Sequence, residues 1–153
     1  MITLQFGLDE HSLILERERD TVDVHAGILE ETGFLTPMRF AVDGLELLAL
    51  EGSDAASLDL PLIGFASHLF GRVSSLEDGS SKKLHLAGGG ALNFARSGDV
   101  VTIHSSIATR VVNADYGDLC AASESLLRRV RDAVLQSIPD MRNHPAWADW
   151  FPE

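Results

Sequence analysis

The chain has 153 residues, of which 23 are acidic and 12 are basic, and its formal net charge is −11 at pH 7. A chain of this length most often folds as one domain, so we expect a single domain over residues 1–153. It contains no run of about 18 apolar residues and its start is not basic, so we expect neither a membrane span nor a signal peptide. The single cysteine, Cys120, excludes an internal disulfide. These features predict a cytoplasmic protein.

The negative charge is concentrated in one part of the sequence. Residues 1–60 contain 13 acids and three bases, whereas residues 61–153 contain ten acids and nine bases. A field of this sign repels nucleic acid and anionic membranes and attracts basic proteins. We therefore expect a basic protein partner, and neither nucleic acid nor membrane. Solubility alone is the alternative explanation of the charge.

The first part of the chain is predicted to consist mainly of β-strands. Residues 2–6 (ITLQF) alternate apolar and polar side chains, with Ile2, Leu4 and Phe6 facing inward. Residues 12–18 (SLILERE) and 21–28 (TVDVHAGI) predict two further strands. Asp43-Gly44 lies between two β-type runs and predicts a tight hairpin. Beyond it, the alternation predicts that Leu45, Leu47 and Ala49 face one way, and that Glu46, Leu48 and Leu50 face the other.

The middle of the chain changes from helical to strand periodicity. Residues 59–73 (DLPLIGFASHLFGRV) predict a helix capped near Asp59, with Pro61 in its first turn. Its apolar stripe comprises Leu62, Phe65, Ala66, Leu69 and Val73. Further strands are predicted in 82–87, 91–106 and 109–114, with a hairpin joining 91–96 to 99–104. Their inward-facing residues are predicted to be Leu84, Leu86, Leu92, Phe94, Val101 and Ile103.

The last part of the chain predicts one long helix and an aromatic tail. Residues 115–138 carry helical periodicity, with Asp115 or Asp118 as the cap and Pro139 as the stop. A short helix after Pro145 places the tail's three large rings on one face, because Trp147, Trp150 and Phe151 follow helical spacing. These rings either close a core or form a binding patch, and we expect core closure. The predicted class is α+β: an antiparallel β-sheet packed against a mid-chain helix and a long C-terminal helix.

The sequence contains no specific catalytic motif: G-x-S-x-G, H-E-x-x-H, C-x-x-C and the P-loop are all absent. We therefore expect a non-enzymatic protein with no catalytic residues, metal or cofactor. His85 and His104 lie on the polar sides of their strands and could be neighbours, but no further ligands have metal-site spacing. An enzyme of unrecognised type, using Cys120 with a histidine, remains an alternative. The lone Cys120 is more typical of a small core residue on a helix.

Six carboxylates in the acidic part are the candidate partner-binding residues: Glu16, Glu18, Asp20, Asp23, Glu30 and Glu31. Carboxylates on such a surface accelerate encounter with a basic protein. The structural alternative is a solvated strand edge, where charged side chains prevent unwanted strand pairing.

Three features together resemble a known class of proteins. They are LPLIGFASHL at 60–69, GDVVTI at 98–103 within a hairpin, and NHPAW at 143–147 after the final helix. Their order is similar to that in small bacterial immunity proteins encoded beside polymorphic toxins, best over residues 58–150. The resemblance implies a cytoplasmic inhibitor that binds one cognate toxin, and it transfers no functional residues. The free chain is expected to be a monomer or a weak dimer. The alternative is a regulatory or assembly domain that homodimerises through a sheet edge or the aromatic tail.

Overall fold

A computed structural model of the chain describes residues 1–7, 34–50 and 58–152. Within these ranges the chain forms eight strands, three α-helices and one 3-10 helix, which confirms the predicted α+β class. The strands divide into two four-stranded antiparallel sheets, whereas the sequence predicted one. In chain order the elements are β1 (Ile2–Phe6), β2 (Leu35–Val42), β3 (Leu45–Glu46), β4 (Leu58–Pro61), α1 (Leu62–Ser74), β5 (Ser81–His85), β6 (Ala91–Ser97), β7 (Val100–Ser105), β8 (Arg110–Asp115), α2 (Tyr116–Ser137), the 3-10 helix (Pro139–Asn143) and α3 (Trp147–Trp150).

The first sheet, sheet A, is organised around β2. Strand β1 pairs along one side of β2, while β4 and β3 pair with its beginning and its end on the other side. The predicted hairpin between β2 and β3 is confirmed, because Asp43 and Gly44 both have the positive φ angles, 51° and 83°, that a primed turn requires. The strands predicted at 12–18 and 21–28 lie outside the described residues.

The alternation predicted after the hairpin is wrong. Strand β3 ends at Glu46, and both Leu47 and Leu48 are buried. The Leu47 carbonyl accepts a hydrogen bond of 2.6 Å from the Ser105 hydroxyl of the other sheet. The chain therefore passes from sheet A into the space between the sheets, where neighbouring side chains no longer face opposite sides.

The second sheet, sheet B, is a meander in which β5, β6, β7 and β8 follow one another in space as in sequence. The predicted hairpin is confirmed: β6 and β7 meet at a turn in which Gly98 has a φ of 63°. All six residues predicted to face inward are buried. The opposite face of this sheet carries exposed and half-buried side chains.

Helices α1 and α2 pack on each other; α1 also contacts both sheets and α3, and α2 contacts both sheets and the 3-10 helix. All five residues of the predicted α1 stripe are buried. Neither Asp59 nor any other side chain caps α1; the Leu62 amide donates instead to the Phe34 carbonyl at 3.2 Å. Asp115 caps α2 as predicted, since its carboxylate accepts from the Asp118 amide at 3.0 Å.

The aromatic tail closes the core, as expected. Trp150 and Phe151 are 2% and 5% exposed and belong to a buried cluster that draws on both sheets and on α1 and α2. Trp147 is half-buried and its ring lies 4.5 Å from that of Phe151. His144 stacks on Trp150 at 4.7 Å, and its Nδ1 accepts from the Ala146 amide at 3.0 Å. The tail is therefore a structural element rather than an exposed binding patch.

Candidate functional site

The six predicted partner-binding carboxylates, Glu16, Glu18, Asp20, Asp23, Glu30 and Glu31, lie outside the described residues. The structure does show where the connection that carries them, residues 8–33, is attached. Strands β1 and β2 are antiparallel neighbours, and the Gly7 amide donates to the Pro37 carbonyl at 3.1 Å. The connection therefore leaves and re-enters the fold at the same end of sheet A. By sequence it carries eight acids and two bases.

The point of re-entry is held firmly. Phe34 has a φ of 53°, in the left-handed region that a bulky side chain rarely adopts, at a cost of about 1–3 kcal/mol. Its ring is buried, and its carbonyl accepts from the Leu62 amide at 3.2 Å and from the Thr36 hydroxyl at 2.7 Å. These contacts hold the Phe34 backbone in its left-handed conformation, and they fix the position at which the acidic connection joins β2.

An exposed apolar side chain lies directly beside this point. Leu35 is 45% exposed at the start of β2, and Pro37 on the same strand face is also exposed. Asp59 pairs with Pro37 across the β2–β4 ladder and is exposed as well. Two exposed apolar side chains, Leu35 and Pro37, therefore lie near the exposed Asp59 at this end of sheet A. We name Leu35, Pro37 and Asp59 the sheet A terminus.

Most of the surplus charge lies outside the described part of the chain. Residues 1–7, 34–50 and 58–152 hold 12 of the 23 acids and 10 of the 12 bases. The scaffold is thus close to charge balance. The acidic character on which the prediction of a basic partner rests belongs mainly to residues 8–33.

The two strand histidines do not form a pair. His85 on β5 and His104 on β7 are both exposed, as predicted, but β6 lies between their strands. On β6, His85 pairs with Ala91 and His104 pairs with Asn93, so the prediction that the two histidines could be neighbours is wrong. Among the described residues, no three His, Cys, Asp or Glu side chains converge in the way that a metal site requires.

Cys120 is half-buried on α2 and packs against the core. It lies one turn after Tyr116, whose hydroxyl donates to the Val73 carbonyl at 3.0 Å. The guanidinium of Arg96 stands 3.7 Å above the Tyr116 ring. The hydrogen bond with Cys120, together with burial, raises the pKa of Tyr116 above its ordinary value of 10.0, and Arg96 opposes this rise. The cluster ties sheet B to α1 and α2.

The concavities in the described part of the chain include a cleft and a groove. A cleft of about 40 Å³ between α1 and the end of β5 includes Phe65, His68 and His85 in its lining, and it has room for only a few water molecules. A groove of about 310 Å³ runs between β1 and α2 and includes Gln5, Ser125 and Arg129. Its volume is at the lower limit for a small-molecule site. Arg129 spans the groove to reach the Leu4 carbonyl at 2.8 Å.

Comparison of the sequence with protein-family models and with curated proteins, and of the fold with solved structures, gives no match. In the described ranges, the helices lack the combination of length and apolar content needed to cross a bilayer. Sequence reasoning missed Leu35 because an apolar residue at the start of a strand gives no sign of its exposure. The positive φ angle of Phe34 could not be predicted from the sequence either.

Proposed function

We propose that this chain is a non-enzymatic protein-binding domain that captures a basic protein, as an immunity protein that neutralises a cognate bacterial toxin in the cytoplasm. The observation that carries the proposal is the attachment of residues 8–33, with eight acids and two bases, to one end of sheet A. The binding surface is the sheet A terminus together with Glu16, Glu18, Asp20, Asp23, Glu30 and Glu31.

The proposed recognition works in two steps. Concentrated negative charge steers a cationic partner toward one end of the molecule, which raises the association rate by about 10–1000-fold at low ionic strength. Short-range contacts then hold the complex, and the exposed Leu35 supplies an apolar contact beside the charges. The near-neutral scaffold does not compete for the partner.

A toxin is the partner class that the resemblance to immunity proteins implies. A toxin that acts on nucleic acid needs basic residues to hold phosphates, and carboxylates of an inhibitor can occupy that surface. Any toxin with a basic functional face meets the same requirement, so the proposal is not restricted to nucleases.

The first test is co-expression in bacteria with the protein encoded beside this chain's gene, which we call the neighbour protein. The neighbour protein should arrest growth when expressed alone, and wild-type chain should restore growth. A variant with Glu16, Glu18, Glu30 and Glu31 changed to Gln and with Asp20 and Asp23 changed to Asn, here the connection variant, should fail to restore it.

A matched control has the same net charge. The scaffold variant neutralises six exposed acids elsewhere: Glu77, Asp99, Glu124, Asp132, Asp140 and Asp149. Both variants lose six negative charges, so a difference between them reports location rather than net charge. Equal rescue by the two variants, or no rescue by the wild-type chain, contradicts the proposal.

A further inference from the structure

We draw no further inference here: the strongest candidate, the groove of about 310 Å³ between β1 and α2, carries none, because Arg129 already spans it to bind the Leu4 carbonyl and nothing in the structure shows what occupies it.

Discussion

The described residues, here the scaffold, and the connection between β1 and β2 differ in what their residues supply. The described scaffold is nearly balanced in charge and contains the aromatic tail, the two sheets and a continuous apolar core. Residues 8–33 carry eight of the 23 acids and only two bases. Under the proposed function, this difference separates the residues that stabilise the fold from the residues that recognise the partner. Substitutions in the scaffold should change the free energy of unfolding, and substitutions in the connection should change partner association.

The largest stability effect is expected at the aromatic tail. Trp150→Ala leaves a cavity in the core and should lower the free energy of unfolding by about 3–5 kcal/mol. Trp147→Ala is the comparison, because Trp147 is half-buried and should cost clearly less. Denaturant unfolding followed by circular dichroism measures both. Equal costs for the two tryptophans would show that Trp150 does not hold the core as the contacts indicate.

The next largest effect on the free energy of unfolding is expected at the N-terminal cap of α2. Asp115→Ala removes the acceptor for the Asp118 amide and should destabilise the chain by about 1 kcal/mol. Asp118→Ala keeps that cap and loses only a favourable charge in the first turn, so it should cost less. Chemical denaturation of the two variants, measured side by side, decides between them; a larger loss for Asp118→Ala is the contrary result.

Tyr116 makes stability depend on pH at the alkaline end. Its folded pKa is raised above the ordinary value of 10.0, chiefly by the hydrogen bond with Cys120. Above pH 10 the unfolded chain loses the tyrosine proton before the folded chain does, so stability falls as pH rises through that window. Tyr116→Phe should remove this part of the fall while losing the bond to Val73 at all pH values. The measurement is thermal unfolding of both proteins from pH 8 to 11, and parallel curves would refute the assignment.

The connection variant should have the smallest effect on stability. If residues 8–33 serve recognition rather than the core, neutralising six of their carboxylates should change the free energy of unfolding by less than about 1 kcal/mol. The scaffold variant with six neutralised acids provides the reference in the same denaturant titration. A large loss confined to the connection variant would mean that these carboxylates hold the fold, and the separation between the two regions would not stand.

Local patterns predicted most of the elements, because each element's signal lies within its own residues. Asp43-Gly44 predicted the first hairpin, and the spacing of apolar residues predicted α1 and the inner face of sheet B. The division into two sheets could not be predicted from the sequence, because it depends on contacts between distant residues such as the hydrogen bond from Ser105 to Leu47. The contact between α2 and β1 likewise depends on a hydrogen bond from Arg129 to the Leu4 carbonyl, 125 positions away in sequence.

The sequence predicted the negative charge of the candidate site but not its position in the fold. The acids of residues 8–33 are visible in the sequence, whereas their common attachment at one end of sheet A follows only from the pairing of β1 with β2. The role of Phe34 as a fixed re-entry point also needed the structure, because its conformation is set by bonds from Leu62 and Thr36.

The most direct test of the proposed function is the association rate between the neighbour protein and this chain, measured by stopped-flow mixing at low and high ionic strength. The wild-type chain and the scaffold variant should associate rapidly at low salt and slow steeply as salt is added. The connection variant should associate slowly at low salt and respond little to salt. A rate that is independent of salt for the wild-type chain, or equal for the two variants, would contradict the claim that residues 8–33 guide a basic partner.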